Sequence, residues 1–113
     1  MEWHIHASCG NSPKNQMLID WMKDFIEEKE ELSFITDKSE IVYQGKTSLL
    51  ESFEIPTGIK EIHIDTAITH GRDGAVIGKV VSDNNTYPLA LFFEFSLGKQ
   101  PKIKKVTTIV EST

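Results

Sequence analysis

The spacing of apolar residues along the chain changes once, near residue 59, from a helical to a strand-like period. Four runs after that point alternate apolar and polar positions, at about 59–70, 74–82, 86–97 and 102–111, and predict four strands. Ahead of them, one stripe of apolar residues has the three- and four-residue spacing of a helix face. It consists of Met17, Leu18, Trp21, Met22, Phe25 and Ile26.

Start and stop signals delimit the shorter elements. Asn11 or Ser12 can cap the helix, and Pro13 suits its first position. Glu40 to Tyr43 predicts a short strand, and residues 48–53 predict a second, short helix. Helices followed by consecutive strands predict an α+β fold, with N-terminal helices packed on a curved antiparallel sheet. We place a tail at residues 1–11 and a single domain at 12–113.

Turn chemistry predicts how the strands pair. Gly71 to Gly74 forms a tight connection that pairs His70 with Ala75. Asn84-Asn85 suits a two-residue hairpin turn, because Asn tolerates positive φ, and pairs Val80 with Leu89. Because side chains alternate between faces, this pairing divides the sheet into two apolar surfaces. The inner surface carries His63 and Asp65 beside large aliphatic residues. The outer surface carries Ile64, Ile68, Ile77 and Phe92.

The inner surface predicts a ligand pocket beneath the helix. Ala67 and Gly78 are small and leave room there, and an apolar cavity with a few polar groups is the usual form of a small-molecule site. The expected walls are Trp21, Val80, Leu89, Leu91 and Phe93, and the expected polar rim is Tyr43, His63, Asp65 and Tyr87. The helices can cover only one surface, so we expect the outer one to form a two-fold homodimer.

Charge and composition narrow the partners. The formal net charge of −5 argues against nucleic acid, whose binding needs a basic face. No apolar run reaches membrane-spanning length, and the single Cys9 fits a reducing compartment, so we expect no membrane partner and a cytoplasmic location. His4, His6 and Cys9 have the chemistry of metal ligands, but without an evident fourth ligand we expect no metal site. No cofactor motif, such as a Gly-rich phosphate loop, is present, and no cofactor is expected.

The order of elements resembles the nuclear transport factor 2-like superfamily, and more narrowly its SnoaL-like group, which includes ketosteroid isomerases and polyketide cyclases. The resemblance spans residues 12–111. It depends on Tyr43-Gln44-Gly45 after the first short strand, on the strand from Leu91 to Phe95 (Leu-Phe-Phe-Glu-Phe), and on Lys102-Ile103-Lys104. The start Gly-Asn-Ser-Pro and the hairpin Thr-His-Gly are similar to small uncharacterised bacterial members. The resemblance implies a cystatin-like cone, an apolar pocket and dimerisation through the outer sheet face. It also implies that Val106 and Thr108 line the pocket.

The isomerase acid and base of that superfamily have no counterpart here. Leu91 stands where those enzymes carry a carboxylic acid, and Tyr43 or Gln44 stands where they carry a general base. Three functions stay open. The first is a non-catalytic pocket protein for an apolar or part-polar ligand. The second is an isomerase, cyclase or hydratase that uses a His63–Asp65 pair, since a carboxylate beside an imidazole can orient it and raise its basicity. The third is a protein-interaction module.

Overall fold

The structure, a computed structural model, describes residues 1–6, 13–27, 34–54, 57–96 and 101–110. The helix α1 spans Pro13–Ile26, and the strands are β1 (Glu2–Ile5), β2 (Glu40–Tyr43), β3 (Lys46–Leu49), β4 (Ile59–His70), β5 (Asp73–Ser82), β6 (Thr86–Phe95) and β7 (Ile103–Val110). A 3-10 turn covers Leu50–Ser52. The four predicted long strands are thus present, within two residues at each end.

The described strands form one seven-stranded sheet in the order β1-β4-β5-β6-β7-β2-β3. The central pairings are antiparallel as predicted, whereas β1 joins β4, and β2 joins β7, in parallel. The prediction of several N-terminal helices was wrong for the described residues, which hold one α-helix and the 3-10 turn. Lys46–Leu49 extends as a strand where part of the second helix was expected.

Helix α1 lies on one face of the sheet because this packing buries its apolar stripe away from water. Leu18, Ile19 and Met22 are fully buried in one core with the inward side chains of β4 to β7. At the N-terminal end of the helix, the Asn15 side chain accepts a hydrogen bond from Thr69 Oγ1 at 2.7 Å. A Cβ on Gly74 would lie 2.6 Å from Leu18 Cδ1, so the helix and β5 approach each other closely at this glycine. The helix is therefore held at a defined depth above β4 and β5.

The segment from Phe34 to Ser39 joins β2 to β7 through a buried hydroxyl. Ser39 Oγ donates to the Ile103 carbonyl at 2.6 Å and accepts from the Thr36 amide at 2.9 Å. Ser39 is itself fully buried, so these bonds satisfy a polar group that would otherwise destabilise the core. They position the side wall of the space between α1 and the sheet.

The first residues of the chain belong to the sheet rather than to a separate tail. Glu2 to Ile5 pairs in parallel with Glu61 to Ile64, and the His6 amide continues the ladder to the Ile64 carbonyl. Trp3 packs against the core and donates from Nε1 to a Glu27 carboxylate oxygen at 2.9 Å. In the described part of the chain, no helix is long and apolar enough to cross a membrane.

Candidate ligand cavity

A cavity of about 270 Å³ lies between α1 and the inner face of the sheet. Large aliphatic and aromatic side chains form most of its wall, and neutral polar groups form the rest. The lining residues are Trp21, Met22, Phe25, Ile26, Phe34, Ile41, Tyr43, Gln44, Leu50, Phe53, Thr57, Ile59, Ile62, Val80, Ser82, Tyr87, Leu89, Leu91, Phe93, Ile103, Val106 and Thr108.

Aromatic pairs stiffen two sides of the cavity. The Trp21 indole stacks on Phe34 with ring centroids 5.1 Å apart and meets Phe95 edge-on at 6.2 Å. Phe53 stacks on Phe25 and meets the Tyr43 ring at 5.4 Å. Such pairs stabilise a packed wall beyond the apolar area that they bury.

Thr108 presents the most informative polar atom. In the part of the chain that the structure describes, its Oγ1 is the one buried side-chain oxygen or nitrogen without a hydrogen-bond partner. The register of β7 with β6 explains its position, because Thr108 pairs with the inward-facing Leu91. A buried hydroxyl without a partner is costly, and a ligand group that paired with it would gain a hydrogen bond of about 1 kcal/mol.

A second polar group lies at the end of the cavity near the β5–β6 loop. The Tyr87 hydroxyl is 3.3 Å from Ser82 Oγ and accepts from Asn85 Nδ2 at 3.5 Å. Hydrogen bonds with Ser82 and Asn85 lower the pKa of Tyr87 from its ordinary value. The Tyr87 hydroxyl is therefore a polar group that an incoming carbonyl or hydroxyl group would meet at this end of the cavity.

His63 and Asp65 do not line the cavity, and the prediction that they face it was wrong. A bulge in β4 between Ile64 and Thr66 shifts the register with β5, so that Asp65 is an extra residue. Side chains before the bulge therefore leave the sheet on the opposite face from the one predicted. Ile62 and Ile64 are fully buried on the cavity side.

A glycine on the neighbouring strand accommodates this bulge. The position of a Cβ on Gly78 would collide with the carbonyl oxygen of His63 and lies 3.1 Å from Ile64 Cα. Only a residue without a side chain lets the two backbones approach in this way. Gly78 therefore allows the close approach of the bulged strand β4, and it does not serve to enlarge the pocket as predicted.

The two hairpin registers also differ from prediction, though without reversing any face. His70 pairs with Asp73 rather than with Ala75, and Val80 pairs with Tyr87 rather than with Leu89. Each shift is two residues, an even number, so β5 and β6 keep their predicted inner sides. The bulge between Ile64 and Thr66 reverses the predicted face of Ile62 to Ile64, and a second register shift in β4 lies between Ile59 and Glu61.

The other nine residues proposed for the pocket lie in the cavity wall. They are Trp21, Tyr43, Val80, Tyr87, Leu89, Leu91, Phe93, Val106 and Thr108. Ile62 also lines the cavity, although the predicted alternation, which took no account of the bulge, places it on the outer face. The sequence analysis also left out Ile41 and Ile103, although the alternation of β2 and β7 could have placed both inward.

Neutral groups make up the described wall of the cavity. Its lining residues include no carboxylate, imidazole or amine. The Leu91 side chain, which can neither donate nor accept a proton, lies in the wall. The arrangement can enclose an uncharged molecule and hydrogen-bond to it.

Comparisons with known proteins support the fold alone. No protein-family model matches the sequence, and no curated protein matches it. A de novo designed NTF2-fold protein superposes with a TM-score of 0.58 at 9% identity, covering 87% of this chain and 84% of that one. A DUF4783 family protein from Bacteroides uniformis superposes with a TM-score of 0.51 at 11% identity, covering 91% of this chain and 100% of that one. The chain thus has an NTF2-like fold.

Proposed function

We propose that the protein binds a small, uncharged and mostly apolar molecule that carries a hydrogen-bonding group, without catalysing a reaction on it. The unpaired Thr108 hydroxyl inside an apolar wall is the observation that supports this most directly. A protein that only needed a core at this position would be more stable with a valine. A ligand hydroxyl, amide or carbonyl placed in the cavity would satisfy Thr108 and gain a hydrogen bond in a low-dielectric site.

The structure gives little support to an enzyme that uses His63 and Asp65. These two residues lie on the face of β4 away from the cavity or in the bulge, so no molecule held in the cavity could reach them through the sheet. We propose the SnoaL-like type of NTF2-like fold, a pocket that lacks the isomerase acid and base. A cytoplasmic location goes with this proposal, because the single Cys9 can form no disulfide within the chain.

Two neighbouring residues of β6 provide a matched test of the cavity. Leu91 is 8% exposed and lines the cavity, whereas the adjacent Phe92 is 46% exposed on the outer face. The uncharged dye N-phenyl-1-naphthylamine fluoresces in apolar sites and serves as the probe. We expect Leu91→Trp to weaken its binding at least tenfold by filling the cavity, and Phe92→Trp to change it less than twofold. Equal effects of the two variants would contradict a cavity site.

The role of Thr108 is tested with two ligands that differ by one hydroxyl. Naphthalene and 1-naphthol are measured by displacement of the dye from the wild-type protein and from Thr108→Val. A lost hydrogen bond of about 1 kcal/mol predicts roughly a fivefold loss of affinity for 1-naphthol. Naphthalene binding should stay the same. If both ligands lose affinity alike, the variant has altered the shape of the wall and the hydroxyl has no specific role.

We propose further that the protein forms a homodimer through the outer face of the sheet. Ile68, Ile77, Phe92 and Ile109 project from neighbouring strands there, and each is about half exposed. Ile64, which had been assigned to this face, is buried in the core instead. An apolar surface of this kind usually marks an interface. Sedimentation equilibrium should give a dimer for the wild type and a monomer for Ile77→Lys. A monomeric wild type would favour a different partner chain.

A further inference from the structure

The pairing of β1 with β4 builds a second cluster of chemically active side chains, on the sheet face away from the cavity. His4 lies directly beside His63, and Glu2 lies beside Glu61. Their side chains leave the sheet on the outer face, because Ile62 between Glu61 and His63 faces the cavity. The His4 and His63 rings stack with centroids 4.4 Å apart and planes 7° apart. Of the three predicted metal-ligand candidates, His4 and His6 lie here beside His63, and Cys9 lies outside the described residues.

The possible ligand atoms already lie near metal-binding distances. His4 Nε2 is 2.9 Å from Glu61 Oε1, and His63 Nε2 is 3.4 Å from that oxygen. One nitrogen from each histidine and one Glu61 oxygen all lie within 4.8 Å of one another. A tetrahedral ion with bonds of about 2.1 Å separates its ligand atoms by about 3.4 Å, which is close to the spacing observed here. The two imidazoles would have to tilt out of their parallel stack for both Nε2 lone pairs to point at one ion.

His6 can orient one of these ligands. Its Nε2 lies 3.1 Å from His63 Nδ1, on the far side of that ring from Glu61. With the proton on Nδ1, His63 donates to His6, and its Nε2 then carries a lone pair directed toward Glu61. A second hydrogen bond of this kind, on the nitrogen that does not bind the metal, is the usual support for a metal-binding histidine. The His63 side chain is only 16% exposed, which restricts its motion further.

We propose that His4, Glu61 and His63 bind a divalent first-row transition ion, with zinc as the best fit, and that His6 is a positioning residue. Two imidazoles and one carboxylate suit zinc, nickel or copper, whereas calcium and magnesium prefer oxygen ligands alone. The exposed Glu2 carboxylate is 3.4 Å from His4 Nε2 but lies outside the set of three mutually close ligand atoms, so the fourth position is left to solvent. The ion would tie the edge strand β1 to β4. This site is separate from the cavity and does not depend on the ligand proposed above.

Isothermal titration of the tag-free, chelator-treated protein with zinc chloride tests the site. We expect one ion per chain with micromolar affinity, and at least a tenfold loss of affinity in His4→Ala, His63→Ala and Glu61→Gln. His6→Ala should weaken binding by a smaller factor. His70→Ala is the matched control. Because His70 is exposed at the other end of β4, this variant should bind zinc as tightly as the wild type does. Circular dichroism confirms that each variant is folded.

Three further outcomes decide the proposal. Zinc should raise the melting temperature of the wild type and leave that of His63→Ala unchanged, because only a native-state site stabilises the fold. Magnesium at the same concentration should have no effect. The proposal would be overturned if no zinc bound at about 0.1 mM, because a site of micromolar affinity would be nearly saturated at that concentration. Loss of binding in Cys9→Ser with retention in His63→Ala would also overturn it, since the ion would then bind elsewhere.

Discussion

Of two isoleucines on β4, truncation of one should destabilise the protein strongly and truncation of the other hardly at all, because the bulge at Asp65 lies between them. Ile64 and Ile68 are four residues apart, and on a regular strand they would share a face. In the structure Ile64 is 0% exposed and Ile68 is 55% exposed. Replacing each with alanine therefore measures whether β4 changes faces at Asp65.

The expected difference is large. Truncating a fully buried isoleucine loses its transfer free energy and leaves a void, which together cost about 2–5 kcal/mol. An exposed truncation costs within about 0.5 kcal/mol, and the lower strand propensity of alanine applies to both positions. For a domain of this size, about 4 °C of melting temperature corresponds to 1 kcal/mol. Ile64→Ala should then melt about 8–20 °C below the wild type, and Ile68→Ala within about 2 °C.

Urea unfolding followed by circular dichroism gives the free energies directly. Both variants should keep the urea dependence of the wild type, so that a changed midpoint reports stability alone. The measurement is repeated at two protein concentrations, because Ile68 lies in the proposed dimer face and any contribution there depends on concentration. Equal destabilisation by the two variants, or a greater effect of Ile68→Ala in the monomer, would refute the bulge and the inner position of Ile64.

Three other substitutions test the arrangement. Thr108→Val should raise the unfolding free energy by about 1 kcal/mol in calorimetry, because it removes a buried hydroxyl that has no partner; a lower melting temperature would show that the hydroxyl is satisfied. Gly78→Ala should cost about 1–3 kcal/mol or more in urea unfolding, since its methyl group collides with the His63 carbonyl; a wild-type midpoint would mean that β4 follows another path. Ser82→Ala should raise the pKa of Tyr87 toward its ordinary value in an ultraviolet titration, because a hydrogen bond that lowers this pKa is lost. An unchanged titration curve would show that Ser82 does not affect the Tyr87 hydroxyl.

The sequence by itself determined the helix, five of the seven strands and part of the cavity wall. The helix from Pro13, the strand Glu40–Tyr43 and the four long strands follow from local periodicity and turn residues, which act between near neighbours in the chain. The inward faces of β5 and β6 also followed, since alternation on a strand survives any register error of two residues. Leu89, Leu91 and Phe93 were placed correctly on the inner face for this reason.

Only the tertiary structure decided where His63 and Asp65 point. A bulge leaves no clear mark in composition, because it is stabilised by the backbone of another strand, here at Gly78, and not by the residues that form it. The same holds for β1, whose partner lies far away in the chain; His6 meets His63 across 57 positions. Four residues at a terminus carry too little periodicity to predict such a pairing. Long-range contact thus separated the imidazoles from the cavity and gathered them at the opposite face.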